Sequence, residues 1–282
     1  MANVLKAEKR AAVIRALVDC NSIRATVRQT GVAKNTVTKL LVELGAACAA
    51  YQDEALRNLT CKRLQVDEIW AFVYAKAKNV PAEKRGVPGV GDVWTFVAID
   101  ADTKLVPSFL VGSRDAGTAT EFMQDLAGRL VNRVQLTTDG HGMYLNAVLD
   151  SFGGAVDYAQ LQKIYGGGPT DEAHRYSPAK CLGTERRRII GDPDRRHVST
   201  SYVERQNLTM RTSMKRFARL TNAFSKKAEN LAAAVALHFM HYNFARPHQS
   251  LGGRTPAQAA GVTDRRWTAA DIVGLLGAGP KS

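Results

Sequence analysis

Three acidic side chains, far apart in the sequence, have the types and settings needed for chemistry on a phosphate. Asp67 lies in the apolar run VDEIW, Asp139 ends the run VQLTTD, and Glu204 lies in SYVERQN. A carboxylate within an apolar strand is costly unless it is paired or binds a cation. Carboxylates from different elements supply the hard oxygen ligands of Mg²⁺ or Mn²⁺. Because two such ions activate an attacking oxygen and stabilise a leaving one, the pattern predicts metal-dependent phosphoryl transfer.

Two neighbours of these acids are secondary candidates. Glu68 follows Asp67, and adjacent strand residues point to opposite faces, so only one of the two can face such a site. Apolar residues fall on both parities of this strand, so alternation alone does not choose between them. His141 could assist a proton transfer or contact phosphate, although a loop histidine is more often simply solvated.

The elements predicted around the acids indicate how they come together. Their order is three strands, a helix, a strand, a helix, a possible fifth strand and a long helix, over residues 64–73, 92–100, 105–111, 117–130, 134–138, 143–152, 156–164 and 201–217. This order predicts an α/β fold, a ribonuclease-H-like mixed sheet flanked by helices, in which the three acids converge. The stretch 166–200, rich in Gly, Pro and Arg, is predicted to be an inserted loop.

The first fifty residues have the pattern of three short helices. Ser22 is a predicted N-cap of the second helix, Gly31 a left-handed turn, and Asn35 a predicted cap of a third helix that ends at Gly45. The tight turn predicts an all-α helix-turn-helix domain, and the start of its recognition helix would contact DNA through Lys34, Asn35, Thr36, Thr38 and Lys39. The alternative is a three-helix bundle used for packing or dimerisation.

The charge balance favours a polyanionic partner. The chain has 39 Lys and Arg against 26 Asp and Glu, a net charge of +13, which is typical of nucleic-acid binding. The excess is densest around the glutamate helix, where Arg205, Arg211 and Lys215 are further predicted DNA contacts, with surface solubility as the alternative. Widely spaced cysteines argue against a zinc site or disulfides, and the lack of an apolar signal or span predicts a cytoplasmic protein.

The length predicts one large domain and one small one. The predicted organisation is a helix-turn-helix domain at 1–50, a linker at 51–61, the ribonuclease-H-like catalytic domain at 62–250 and a C-terminal tail at 251–282.

Four segments of the sequence, taken in chain order, resemble bacterial insertion-sequence transposases of the DDE type, most closely the insertion-sequence-one type. The segments are VDEIW, TTDGHGMY, SYVERQNLTMR and YNFARPHQSLGGRTPAQAA. The resemblance covers roughly residues 60–260, and motifs in the expected order are a stronger signal than any one of them.

The resemblance implies the roles of the acids. It favours Asp67 over Glu68, makes Asp67, Asp139 and Glu204 ligands of two Mg²⁺ or Mn²⁺ ions, and implies cleavage at the element's end followed by joining of its 3′-hydroxyl to target DNA. The implied partners are double-stranded DNA, as terminal inverted repeats and target, and a second copy of the chain in a homodimer. Two alternatives remain: a nuclease of this fold that cuts without joining, and a helix-turn-helix regulator without chemistry.

Overall fold

A computed structural model describes residues 5–166 and 181–277 of the chain. Its centre is a sheet whose strands lie in the order β3-β2-β1-β4-β5-β6. These are β1 Arg63–Val73, β2 Gly91–Asp100, β3 Phe109–Gly112, β4 Val134–Asp139, β5 Val156–Tyr165 and β6 Cys181–Ile190. The first three strands pair antiparallel, β1, β4 and β5 pair parallel, and β6 is antiparallel to β5. The predicted mixed sheet is confirmed.

Helices cover both faces of the sheet. On one face, α4 (Ala116–Ala127) and α5 (Met143–Phe152) pack through Phe122 and Tyr144 against Phe96 of β2. On the other lie α6 (Ser201–Ser213) and α7 (Ala228–Met240), where Phe239 stacks on Phe109 of β3 at 4.8 Å between ring centroids. Burying apolar side chains on both faces supplies the main stabilisation of such a layered fold.

Several predicted elements have different bounds in the structure; the helix predicted at 117–130, for example, ends at Ala127. The third strand begins at Phe109 rather than 105, because the backbone of Val106 is hydrogen-bonded to the buried side-chain amide of Asn243 and not to a strand. The glutamate helix ends at Ser213, and a 3-10 turn follows from Lys215 to Phe217. Within the predicted loop 166–200, residues 167–180 lie outside the described residues, whereas 181–190 form β6.

The N-terminal region consists of α1 (Ala7–Val18), α2 (Ile23–Thr30) and α3 (Lys34–Ala55). The Ser22 hydroxyl accepts from the backbone N–H of Ala25, and Gly31 is left-handed with φ +68°, so both predicted boundaries of α2 are confirmed. The prediction that Asn35 caps α3 is wrong. The N-cap is Ala33, which has no side-chain cap, and Asn35 lies in the first turn.

Gly45 is a close-contact position and not a helix end. Helix α3 continues through it to Ala55, so residues 51–55 of the predicted linker are helical. A Cβ atom built on Gly45 would lie 2.4 Å from the Cβ of Ala233, which means that α3 crosses α7 backbone to backbone at this residue. The side chain of Gln52 extends the contact by donating to the carbonyl of Ala236 at 3.1 Å.

The C-terminal residues pack on the same core. Two short helices, α8 (Pro256–Ala259) and α9 (Ala269–Gly274), lie in the region predicted as a tail. The ring of Trp267 packs on Tyr51 of α3 with 4.8 Å between ring centroids, and α9 contacts α1. Residues of α1, α3, the sheet and α9 therefore belong to one hydrophobic cluster. Among the described residues, no helix combines the length and apolarity needed to cross a bilayer.

The contact at Gly45 generates a stability prediction. Replacing Gly45 with Ala would ordinarily favour a helix, but here the added methyl group overlaps Ala233, so we expect the free energy of unfolding to fall by about 1–3 kcal/mol. Urea unfolding followed by circular dichroism measures the change. The exposed neighbour Ala46 provides the control, since Ala46→Ser should change stability by less than about 0.5 kcal/mol. Equal stability of Gly45→Ala and the wild-type protein would contradict the close crossing.

Candidate active site

The first two acids meet where two parallel strands separate. Strands β1 and β4 are paired from Arg63 to Gln65 of β1, and beyond this point they diverge, with Asp67 on one strand and Asp139 at the end of the other. Ligand oxygens of Asp67, Glu68 and Asp139 lie within 4.8 Å of one another. The backbone thus brings carboxylates from two strands together at one end of the sheet.

The third acid is positioned by a hydrogen-bonded link between β1 and α6. The side-chain oxygen of Gln65, which is buried, accepts from the backbone N–H groups of Tyr202 at 2.8 Å and Val203 at 3.2 Å. The first N–H groups of a helix have no partner within the helix, so this amide oxygen satisfies two of them and fixes the start of α6 above β1. Glu204 follows directly in the first turn.

All three predicted acids line one open cleft of about 500 Å³. His141, Lys163 and Thr200 line it as well. Glu204, on α6, also lines the cleft but is not within the tight oxygen cluster of Asp67, Glu68 and Asp139.

Burial and mutual repulsion dominate the electrostatics of Asp67. Burial raises its pKa to about 7, repulsion from Glu68 adds to the rise, and Asp139 and Glu204 contribute in the same direction. A hydrogen bond from the backbone N–H of Glu68 opposes this shift. Asn207 donates to the second oxygen of Asp67 at 2.9 Å. The pKa of Asp139 is also raised, again chiefly by burial.

Glu204 is held through one of its two oxygens. Oε1 accepts from the Lys163 ammonium and from the Thr200 hydroxyl, each at 2.5 Å. Oε2 accepts no hydrogen bond from the described residues. One oxygen therefore orients the carboxylate, and the other remains open to a ligand.

Glu68 is paired on the other side of β1. Its side chain is 1% exposed, forms an ion pair with Arg114 at 2.6 Å, and accepts from the hydroxyl of Tyr144 at 2.6 Å. Tyr144 is on α5, whereas Asn207, the partner of Asp67, is on α6. The two adjacent acids therefore have partners on different helices, although ligand oxygens of both lie within 4.8 Å of each other and of Asp139.

His141 lies in the turn after β4. Its backbone N–H donates to Asp139 at 3.0 Å, and its Nδ1 accepts from the backbone of Met143 at 3.3 Å. In the neutral ring the proton is consequently on Nε2. The residue lines the cleft and stays a secondary candidate.

The predicted DNA contacts lie at two places on the surface. Lys34, Asn35, Thr36 and Lys39 are exposed at the start of α3, and Thr38 is partly exposed. Arg205 and Lys215 are exposed on and just beyond α6. Arg211 is half-buried and donates to the carbonyl of Phe217 at 3.3 Å, and burial lowers its pKa.

Four residues that shape the site were absent from the sequence prediction: Gln65, Lys163, Thr200 and Asn207. Asn207 follows Glu204 by three residues, a spacing that puts both on one side of a helix, so periodicity could have found it. Lys163 carries no such signal, because its meeting with Glu204 depends on how β5 and α6 are packed together.

The residues present fit a divalent cation. They offer hard carboxylate oxygens, and the raised pKa of Asp67 reflects negative charges that are removed from water and close together. A cation between them would relieve this repulsion. Lys163 forms an ion pair with Glu204 beside this cluster.

Comparison with known proteins gives a partial match. Residues 191–256 match the family model described as integrase core domain. The mixed sheet flanked by helices has the predicted ribonuclease-H-like arrangement. The family match covers only residues 191–256 of the chain. Glu204 lies inside the matched residues, while Asp67 and Asp139 precede them. No curated protein sequence matches the chain.

Several solved transposase structures are similar at low identity. A pre-cleavage Mos1 transpososome is 12% identical over 56% of this chain and 60% of its own, with a TM-score of 0.22. The Mos1 strand transfer complex is 12% identical over 86% and 78%, with a TM-score of 0.25. A piggyBac transposase synaptic complex is 10% identical over 96% and 69%, with a TM-score of 0.40. The chain thus covers about 60% of the length of the first of these.

The geometry of the cleft predicts a metal-dependent stabilisation that needs Asp139. Saturating Mn²⁺, at about 100 times its dissociation constant, should stabilise the wild-type protein by about 2.7 kcal/mol. Asp139→Asn should remove this gain without lowering the stability of the metal-free protein, because the substitution deletes a partly buried charge that repels its neighbours. Thermal unfolding with Mn²⁺ and with a chelator measures both quantities. Asp150→Asn, on the exposed side of α5, is the control and should behave as wild type. An undiminished Mn²⁺ effect in Asp139→Asn would rule out this ligand set.

Substitution of Glu68 should have the opposite effects to substitution of Asp139. Glu68→Gln weakens the buried pair with Arg114, so we expect the unfolding free energy to fall by about 1–3 kcal/mol, while stabilisation by Mn²⁺ is retained. Arg114→Met should destabilise the protein to a similar extent. If Glu68→Gln instead kept its stability and lost the response to Mn²⁺, then Glu68 and not Asp67 would be the ligand.

Proposed function

We propose that the chain is a transposase of the DDE type, which cleaves and joins DNA by metal-dependent phosphoryl transfer. The observation that carries this proposal is the meeting of Asp67, Asp139 and Glu204, from β1, β4 and α6, in a single open cleft. The integrase core match over residues 191–256 supports the same class of reaction. The resemblance of four sequence segments to insertion-sequence-one transposases supports the narrower assignment.

The three acids are the proposed ligands of two Mg²⁺ or Mn²⁺ ions. When bound, such ions activate the attacking oxygen and stabilise charge on the leaving oxygen of an in-line displacement. Thr200 and Lys163 orient Glu204 by holding Oε1. Asn207 orients Asp67 in the same way. Precise placement of each carboxylate before substrate binds reduces the reorganisation needed during the reaction.

The cleft also offers groups for the substrate phosphate. Among the described lining residues, Lys163 is the sole Lys or Arg, and its ammonium can donate to a phosphate oxygen next to Glu204. His141, on the Asp139 side, is a proposed secondary contact. Both residues supply donors to an anion in a place where the acids alone would repel it.

Each of the two reactions exchanges one bond at phosphorus for another. In cleavage, a water oxygen bonds to phosphorus, the bond to the 3′-oxygen breaks, and that oxygen leaves as a 3′-hydroxyl after taking up a proton. In joining, the 3′-hydroxyl oxygen attacks a target phosphate, and the 3′-oxygen of the target strand leaves. Cleavage is a hydrolysis, in which one ester bond breaks and a P–OH bond forms, whereas joining exchanges one ester bond for another. Neither step therefore requires an external energy source or a covalent protein intermediate.

The proposed partner is double-stranded DNA, as terminal repeats and as target. The net charge of +13 and the exposed polar start of α3 support a helix-turn-helix role for α2 and α3, with Lys34, Asn35, Thr36, Thr38 and Lys39 as contacts. Arg205, Arg211 and Lys215 are proposed contacts near the cleft. Since two DNA ends are processed together, a homodimer on DNA is part of the proposal.

Loss of activity on substitution of the acids tests the chemistry. Each of Asp67→Asn, Asp139→Asn and Glu204→Gln should lower cleavage with Mg²⁺ by about a thousandfold or more, since loss of several kcal/mol of metal-derived stabilisation has this effect on rate. Affinity for the same DNA should be retained. The assay uses a duplex from the DNA that flanks the coding gene, and Asp150→Asn is the matched acidic control.

The products separate the proposal from its alternatives. Sequencing of joined molecules, with the 3′-end of one duplex linked to another, is expected of a transposase. Cuts without joined products would indicate a nuclease. Specific DNA binding with no metal-dependent cutting in the wild-type protein would leave a helix-turn-helix regulator and remove the enzymatic proposal.

A further inference from the structure

We propose that DNA is bound in a groove shared by the N-terminal helices and the segment that follows α6. This groove, here called the junction groove, has a volume of about 1070 Å³ and is walled by the starts of α2 and α3 on one side and by residues of the segment 215–230 on the other. The proposal rests on the function proposed above. It adds that one duplex contacts both walls together, so that recognition by the helices is inseparable from contact with the catalytic core.

The charge of the groove fits a polyanion. Its lining contains seven Lys or Arg and two Glu. Arg24, Lys34 and Lys39 are on the helical wall, and Lys215, Lys226 and Lys227 are on the core wall. Closely spaced cations that face each other across a groove repel, and a phosphate backbone between them removes that repulsion while releasing counterions.

Most of this positive charge is available to a ligand. Lys39 pairs with Glu43 at 3.6 Å, and Lys227 pairs with Glu229 at 3.2 Å, with both lysine side chains more than two-thirds exposed. Exposed pairs of this kind are weak and easily replaced. Arg24, Lys34, Lys215 and Lys226 make no ion pair with any residue that the structure describes.

Neutral hydrogen-bonding groups lie between the charges. Asn35 is on the helical wall and Asn222 is on the core wall, and both are exposed. Side-chain amides can donate to phosphates and can read base edges in a groove of DNA. The core wall therefore contributes the same classes of contact as the helix that the sequence analysis assigns to recognition.

The two walls are fixed relative to each other. The backbone N–H of Cys20, between α1 and α2, donates to the carbonyl of Ser213 at the end of α6 at 3.0 Å. On the core wall, the carbonyl of Ser225 accepts from the N–H of Tyr74 at 2.8 Å, which ties the segment to the end of β1. With α3 packed on α7 at Gly45, the helices cannot turn away to bind DNA by themselves.

The groove is close enough to the cleft for one duplex to reach both. Helix α6 runs from the first turn, where Glu204 lies, to Ser213 beside the groove. Nine residues of helix span about 14 Å at 1.5 Å per residue. This is about four base pairs of duplex at 3.4 Å each.

The test measures DNA binding alone. Full-length protein carrying Asp139→Asn, which prevents cutting, is titrated with a 25-base-pair duplex of random sequence at several salt concentrations. Lys34→Gln on the helical wall and Lys226→Gln on the core wall should each weaken binding by about five- to tenfold near 0.1 M salt and reduce the slope of log affinity against log salt by about one. Arg266→Gln removes an exposed charge outside the groove and is the matched control, expected to leave both values unchanged.

The outcomes separate this proposal from the proposed chemistry. If Lys226→Gln matches the Arg266 control while Lys34→Gln weakens binding, the core wall does not contact DNA and the shared groove is overturned. If both groove variants match the control, the groove is not the binding surface at all. Binding is measured here apart from cleavage. If the groove variants weaken binding as expected but the wild-type protein never cleaves DNA in the separate assay, the proposed transposase activity is refuted and the groove proposal is retained.

Discussion

Like charges held close together and away from water are the constraint on which this structure depends. Oxygens of Asp67, Glu68 and Asp139 lie within 4.8 Å of one another, and isolated buried carboxylates are strongly unfavourable. The fold meets this constraint in two ways. Glu68 forms an ion pair with Arg114 and accepts a hydrogen bond from Tyr144. Asp67 has no cationic partner among the described residues; it accepts only from the backbone N–H of Glu68 and from the Asn207 amide, and burial raises its pKa to about 7. The charge left uncompensated is what supports the proposed cation site in the cleft.

The surrounding architecture keeps these groups in place without filling the cleft. The pairing of β1 with β4 joins Arg63–Gln65 to Gln135–Thr137 and stops before Asp67 and Asp139, which leaves these two acids beyond the paired region. The amide of Gln65 fixes the start of α6 above this region. Thr200 and Lys163 then orient Glu204 while leaving its second oxygen open among the described residues. Each support is a directional hydrogen bond rather than apolar packing, which gives the precision that a metal site needs.

The sequence allowed prediction of features that depend on local periodicity. The strand-forming composition of β1, the apolar spacing in α4 and α5, and the cap at Ser22 could each be recognised from local sequence, and so the order of elements and the mixed sheet were predicted correctly. The acids could be nominated because carboxylates are rare in apolar strands. The third strand was predicted too long, because Asn243, far along the chain, takes the hydrogen bonds of Val106. Lys163 and β6 were missed because their partners lie across space, and an Arg-rich edge strand has no apolar alternation to reveal it.

The crossing of α3 over α7 at Gly45 has a consequence for how binding specificity can change. Because Leu41, Leu44 and Cys48 are buried in the same hydrophobic cluster as the sheet, the N-terminal helices are not an interchangeable module. A swap of the whole region between relatives would expose apolar surface and disturb the core. Under the proposed DNA-binding role, changes of target preference are confined to the few exposed positions at the beginning of α3, because the rest of that helix is packed in the core.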